Sequence, residues 1–248
     1  MLNIINVEFR KMFIRKEFYI TLFLLFLISV FIIYQLYSGG GLVNIQQDGN
    51  DKMPISEFII GIVGLFNMLG ITAIICCVLV WNIIGSEVDQ KILPVYFLNS
   101  PSRLKVILSK ILVSLLCIVI YNIIFTLTIV ISCILFRPEQ IATSFHKQDF
   151  INIFTASGSF ISLSFILILI AFDAAILFGG MGVIFGTIGV FILSSFLNNY
   201  GVYENWLPTN ITDFNHSFTI NNVTVFFVYV VLFLSICIPL VKNREVKT

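Results

Sequence analysis

Apolar residues run through this chain in long blocks, and the short stretches between the blocks carry nearly all of its charge. Six windows contain no Asp, Glu, Lys or Arg: Phe18–Gln47, Phe58–Ser86, Ile111–Phe136, Phe150–Phe172, Ala174–Tyr203 and Phe214–Val241, each 23 to 30 residues long. About 20 apolar residues in helical form cross the hydrocarbon core of a bilayer. A charge at mid-span costs roughly 2.5–3.5 kcal/mol, so charge-free blocks of this length predict membrane-spanning helices. The pattern predicts an all-α membrane protein with six transmembrane helices, at about 18–37, 59–84, 107–136, 151–177, 182–199 and 223–241. They form a single transmembrane domain over 1–248.

The connecting stretches refine this picture. In residues 1–17, Leu2, Ile5, Phe9, Met12 and Phe13 recur at helical spacing, while Glu8, Lys11 and Arg15 fall on another face. This predicts an interfacial amphipathic helix whose basic side chains reach the headgroups. The first apolar block follows without a small-x-small cleavage site and reads as an uncleaved span. Ser38–Ser56 and Arg137–Asp149 are polar loops. Between Phe150 and Tyr203 the one charge is Asp173, so that stretch must be a helical hairpin. Gly179-Gly180-Met181-Gly182 is its best reversal, because glycine tolerates the backbone angles of a turn. The polar stretch Asn198–Asn222 carries Tyr203 and Trp206, which suit interface anchors.

Composition agrees: 58% of residues are hydrophobic, 11% are charged, 26 are Phe, and mean hydropathy is +1.03. No soluble domain of this size hides so much apolar surface. The net charge of +1 points to no nucleic-acid partner. Placing both termini on one side gives that side Arg10, Lys11, Arg15, Lys16, Lys91, Arg103, Lys105, Lys110, Lys242, Arg244 and Lys247. The other side receives Lys52, Arg137 and Lys147. Eleven against three predicts cytoplasmic termini and a multi-pass cell-membrane protein. Composition rich in Ile, Asn and Phe has a bacterial look, so the Asn-x-Ser/Thr triplets at Asn210, Asn215 and Asn222 read as chance. Cys76, Cys77, Cys117, Cys133 and Cys237 lie in apolar blocks at spacings that fit no metal set.

Candidate chemistry is sparse. There is no Walker A loop, and His146 and His216 stand alone. Span interiors hold too few ionisable groups for ion-coupled transport. Asn67, Asn122 and Thr126 could line a cavity or bond a neighbouring helix. Gly182, Gly186 and Gly189 permit close helix approach, at a dimer seam or within the chain. Asp173 is either near the inner interface or a paired intramembrane acid.

The densest interior charge lies in segment 86–105, between the second and third predicted spans. It carries Glu87, then Tyr96, Phe97 and Leu98, then Pro101, Ser102 and Arg103, and leads on to Lys110. Glu87, Leu98, Pro101, Ser102, Arg103 and Lys110, with the amphipathic N-terminus and the tight fourth turn, resemble the permeases of type-2 ATP-binding-cassette (ABC) exporters. Lys91 departs from a glycine usual in that family, and Pro94 interrupts the expected coupling helix. The resemblance implies the type-2 ABC exporter permease fold, with a cytoplasmic coupling helix in 86–105. It implies a non-enzymatic subunit paired with a second permease copy or paralogue and a cytosolic ABC ATPase dimer, which holds ATP and Mg. In that setting Glu87, Arg103 and Lys105 sense the ATPase by charge, and Tyr96 and Phe97 fill its groove. The bland reading of these charges is a solvated loop that anchors topology. The resemblance further implies export of antimicrobial or amphipathic peptides, as in bacteriocin self-immunity, with hydrophobic drugs, ions or lipids as alternative cargo. A stand-alone membrane scaffold or intramembrane enzyme is the rival class.

Overall fold

The computed structural model describes residues 2–38, 53–90, 92, 103–136, 141–142, 147–200, 207–208 and 220–243. Eight helices carry the described fold: α1 (Leu2–Ile14), α2 (Lys16–Tyr37), α3 (Ile55–Met68), α4 (Ile71–Asp89), α5 (Arg103–Phe136), α6 (Lys147–Phe178), α7 (Gly180–Asn198) and α8 (Ile220–Asn243). Two-residue strands β1 (Met53–Pro54) and β2 (Ile141–Ala142) pair in parallel, Met53 with Ile141 and Pro54 with Ala142. Five helical stretches are long and apolar enough to cross a membrane: Lys16–Gln35, α4, α5, Asp149–Phe178 and α7. The sixth predicted span falls on α8, whose apolar stretch Phe226–Pro239 is shorter. Exposed Phe23, Phe31, Leu127, Phe154, Phe196 and Leu232 give the bundle the apolar coat of a membrane protein.

The amphipathic lead-in and the first span separate at Arg15, the lone non-helical residue between α1 and α2. Aromatic rings bridge that joint. Phe9 meets Phe13 at 4.8 Å, Phe13 meets Phe18 at 4.9 Å, and Phe18 stacks on Tyr121 of α5 at 5.1 Å between centroids. The hairpin turns at Gly179, whose φ of +71° is open to glycine at little cost.

The second predicted span, drawn as one helix over 59–84, is instead broken into α3 and α4. Gly70 has φ +72°, a left-handed conformation that ends α3. Its N–H donates to the Asn67 carbonyl at 3.2 Å, and the Thr72 hydroxyl donates to Asn67 Oδ1 at 2.7 Å. A Cβ on Gly70 would lie 2.7 Å from the Phe191 ring, so the break is also a close approach to α7.

Despite this break, α3 and α4 run in step with α6. Hydrogen bonds join Ser56 to Asp149 and Cys76 to Ser164, at sequence offsets of 93 and 88. Such similar offsets mean two parallel helical paths over about 30 Å, at 1.5 Å per residue. One end of the bundle is tied by β1–β2 and by the Ser56–Asp149 bond of 2.5 Å. The opposite end gathers the charged residues described below.

Gly182 and Gly186 pack α7 onto α6 within the chain. A Cβ at Gly182 would lie 2.0 Å from the Ala174 carbonyl oxygen, and one at Gly186 would lie 2.7 Å from Ala171 Cα. Gly189 does not share this role: the nearest atom to its Cβ position belongs to Phe185 of its own helix, at 3.8 Å. In lipid, association rests on such close packing more than on apolar burial, since the tails are as apolar as the side chains.

Candidate functional site

At the charged end, four side chains from three helices close a ring of alternating charge. Lys110 of α5 meets Glu8 of α1 at 2.9 Å and Glu87 of α4 at 2.8 Å. Lys11 of α1 closes the other side, 3.3 Å from Glu8 and 3.5 Å from Glu87. Lys110 has no exposed surface, and Glu8 and Glu87 are buried, whereas the Lys11 side chain is 32% exposed. Buried charges are tolerated when they are paired and hydrogen-bonded, and two carboxylates between two ammonium groups leave no net charge.

A widened π-helical turn over Trp81–Gly85 supplies further acceptors. Such a turn loosens carbonyls from the regular ladder and often marks a functional position. The Ile83 carbonyl accepts from Lys110 at 3.2 Å. The Asn82 carbonyl accepts from the Arg15 guanidinium, which also lies 3.4 Å from the Ser86 hydroxyl. Lys11 and Arg15, expected to reach toward headgroups, are therefore turned onto the bundle. Arg15 owes this to its place at the α1–α2 joint.

The last residue of α4 reaches the α6–α7 turn. Asp89 Oδ1 accepts the Gly180 N–H at 2.8 Å. A Cβ at Gly180 would lie 2.2 Å from the Asp89 carboxylate and 2.7 Å from Trp81. Thus one short stretch of α4, Asn82–Asp89, holds α1, the α1–α2 joint, α5 and the hairpin turn.

The predicted site residues divide across this frame. Glu87 lies inside the ring, buried and paired with Lys110 and Lys11. Arg103 is half-buried at the start of α5 and Lys105 is exposed. Tyr96 and Phe97, with most of 91–102, lie outside the described residues. Phe66 on Phe125, at 4.7 Å, sets the Gly70 break beside the middle of α5. Asn67 is occupied there by Thr72. Asn122 is buried, and its Nδ2 and the buried Thr126 Oγ1, one turn further on, have no hydrogen-bond partner among the described residues. Asp173 is buried, and its Oδ1 has no hydrogen-bond partner among the described residues.

Sequence reasoning missed the joining of Glu8, Lys11 and Arg15 to α4 and α5. The available signals were the Glu8–Lys11 spacing of three and a lone lysine, Lys110, at the threshold of a 26-residue charge-free block. Among the described residues no group of three His, Cys, Asp or Glu is disposed to hold a metal ion. Searches of protein-family models, curated proteins and solved structures find no match to this chain.

Proposed function

We propose that this chain is the membrane permease subunit of an ATP-driven exporter, as its resemblance to type-2 ABC permeases implies. The observation that supports it is the ionic node at the charged end. Segment 86–105 emerges from α4 where α4 grips α1, α5 and the α6–α7 turn. A force on that segment therefore acts on four elements as one body, because their buried charges cannot separate cheaply. With this end in the cytosol, closure of an ATPase dimer on its nucleotide pushes the segment and rocks the spans against those of a second permease copy or paralogue. ATP and Mg reside on the ATPase. The Phe-rich, charge-poor spans suit an antimicrobial or amphipathic peptide as cargo better than a sugar.

The test is reconstitution. Purified alone, the chain hydrolyses no ATP. Co-expressed with its ATPase, it copurifies with it in proteoliposomes, and cargo peptide stimulates hydrolysis. Replacing residues 92–102 by Gly/Ser abolishes the stimulation. Transport without any ATPase, or full stimulation after that replacement, contradicts the reading.

A further inference from the structure

We propose that Asp173 is the recognition group for a lipophilic cation, an ammonium or guanidinium on an apolar body, bound in the seam between α6 and α8. The register locates it. Phe165 stacks on Phe226 at 5.4 Å, and further along both helices Asp173 comes near Cys237, so α6 and α8 run parallel with Asp173 beside α8. The offset of 88 at Cys76–Ser164 sets Asp173 level with Gly85, two residues or about 3 Å along α4 from Glu87. The ring is built from α1, α4 and α5, whereas Asp173 stands on α6. Lys110 is engaged by Glu8 and Glu87, and Arg15 by Asn82 and Ser86. Asp173 itself is 9% exposed, with Oδ1 buried and without a hydrogen-bond partner among the described residues.

An acid at membrane depth points to function and calls for a counter-charge. Its helical neighbours Leu169 and Ile176 on α6, and Phe233 and Cys237 on α8, are buried and apolar. One carboxylate in such surroundings lacks the six or more oxygens that a calcium ion takes. The seam offers one charge and an apolar wall, which matches an organic cation. That this cation belongs to the cargo rests on the exporter reading; the binding itself does not.

The test uses the full chain in nanodiscs, with empty discs subtracted, and needs no ATPase. The probes are 12-(dansylamino)dodecylammonium and its neutral N-acetyl twin. The ammonium should bind saturably, about tenfold or more tighter than the twin. Asp173→Asn should erase the difference, Asp173→Glu should keep most of it, and Glu57→Gln at the opposite end should leave it unchanged. In the wild-type chain, dicyclohexylcarbodiimide should label Asp173, and the ammonium but not the twin should protect it. This second readout stands even if the Asn variant fails to fold. Equal binding of the two probes, a preference that survives Asp173→Asn, or labelling that the ammonium does not block would overturn the assignment. Any of these would leave the ATPase tests of the exporter reading standing.

Discussion

Replacing Lys110 with Met tests whether the charge ring holds the bundle end together. Met keeps the length and apolar volume of the lysine stem, so packing is nearly conserved and the charge is removed. The ammonium group lies 2.9 Å from Glu8, 2.8 Å from Glu87 and 3.2 Å from the Ile83 carbonyl, and has no exposed surface. Without it, two buried carboxylates share only Lys11. Breaking a buried ion pair by removing one partner costs about 3–5 kcal/mol. Lys110→Met should cost that much in equilibrium unfolding by SDS titration of mixed micelles, followed by tryptophan fluorescence. Lys11→Met should cost about 1 kcal/mol or less, because its side chain is 32% exposed and its distances are longer. The triple variant Glu8→Gln, Glu87→Gln, Lys110→Met should recover most of the loss, since a ring neutralised as a whole leaves no orphaned charge. A Lys110→Met loss below about 1 kcal/mol, or no recovery in the triple variant, would refute the reasoning.

Further substitutions probe the packing. Gly182→Ala and Gly186→Ala should each cost about 1–3 kcal/mol by overpacking, whereas Gly189→Ala should be neutral or slightly stabilising in the same unfolding assay. Gly70→Ala should cost about 1–2 kcal/mol from its left-handed backbone, with a further loss from the Phe191 ring 2.7 Å away; adding Phe191→Ala should relieve only the second part. Asp89→Ala should free the hairpin turn, seen as faster hydrogen exchange at Gly180 with the far ends of α6 and α7 unchanged.

The long helices were legible because a charge excluded from hydrocarbon marks both ends of a span. The joint at Arg15 and the turn at Gly179 were legible for a related reason: a change of pattern and a glycine cluster each leave a local trace. The break at Gly70 was not. Gly61, Gly64 and Gly70 look alike in an apolar run, yet Gly61 and Gly64 sit in regular helix with open space beside them, while Gly70 turns left-handed. Its signal is the contact with Phe191, 121 positions away in sequence. The ring was half legible. Lys110 and Glu87 stood out as charges at span ends, but Glu8 read as the polar face of a surface helix. Only folding α1 back along α5 turns that face inward. Gly182 and Gly186 announced close approach without saying to what, and the answer, Ala174 and Ala171, lies on the preceding helix.

The central claim is that a nucleotide-hydrolysing partner engages the segment between α4 and α5. The direct measurement is to place the photo-crosslinker p-benzoylphenylalanine at position 97 in the full chain in its native membrane and identify the adduct by mass spectrometry. The account predicts a crosslink to a cytosolic ATP-binding-cassette subunit whose yield changes when nucleotide is trapped. A crosslink only to lipid, or labelling of position 97 by an impermeant reagent from outside the cell, would contradict it.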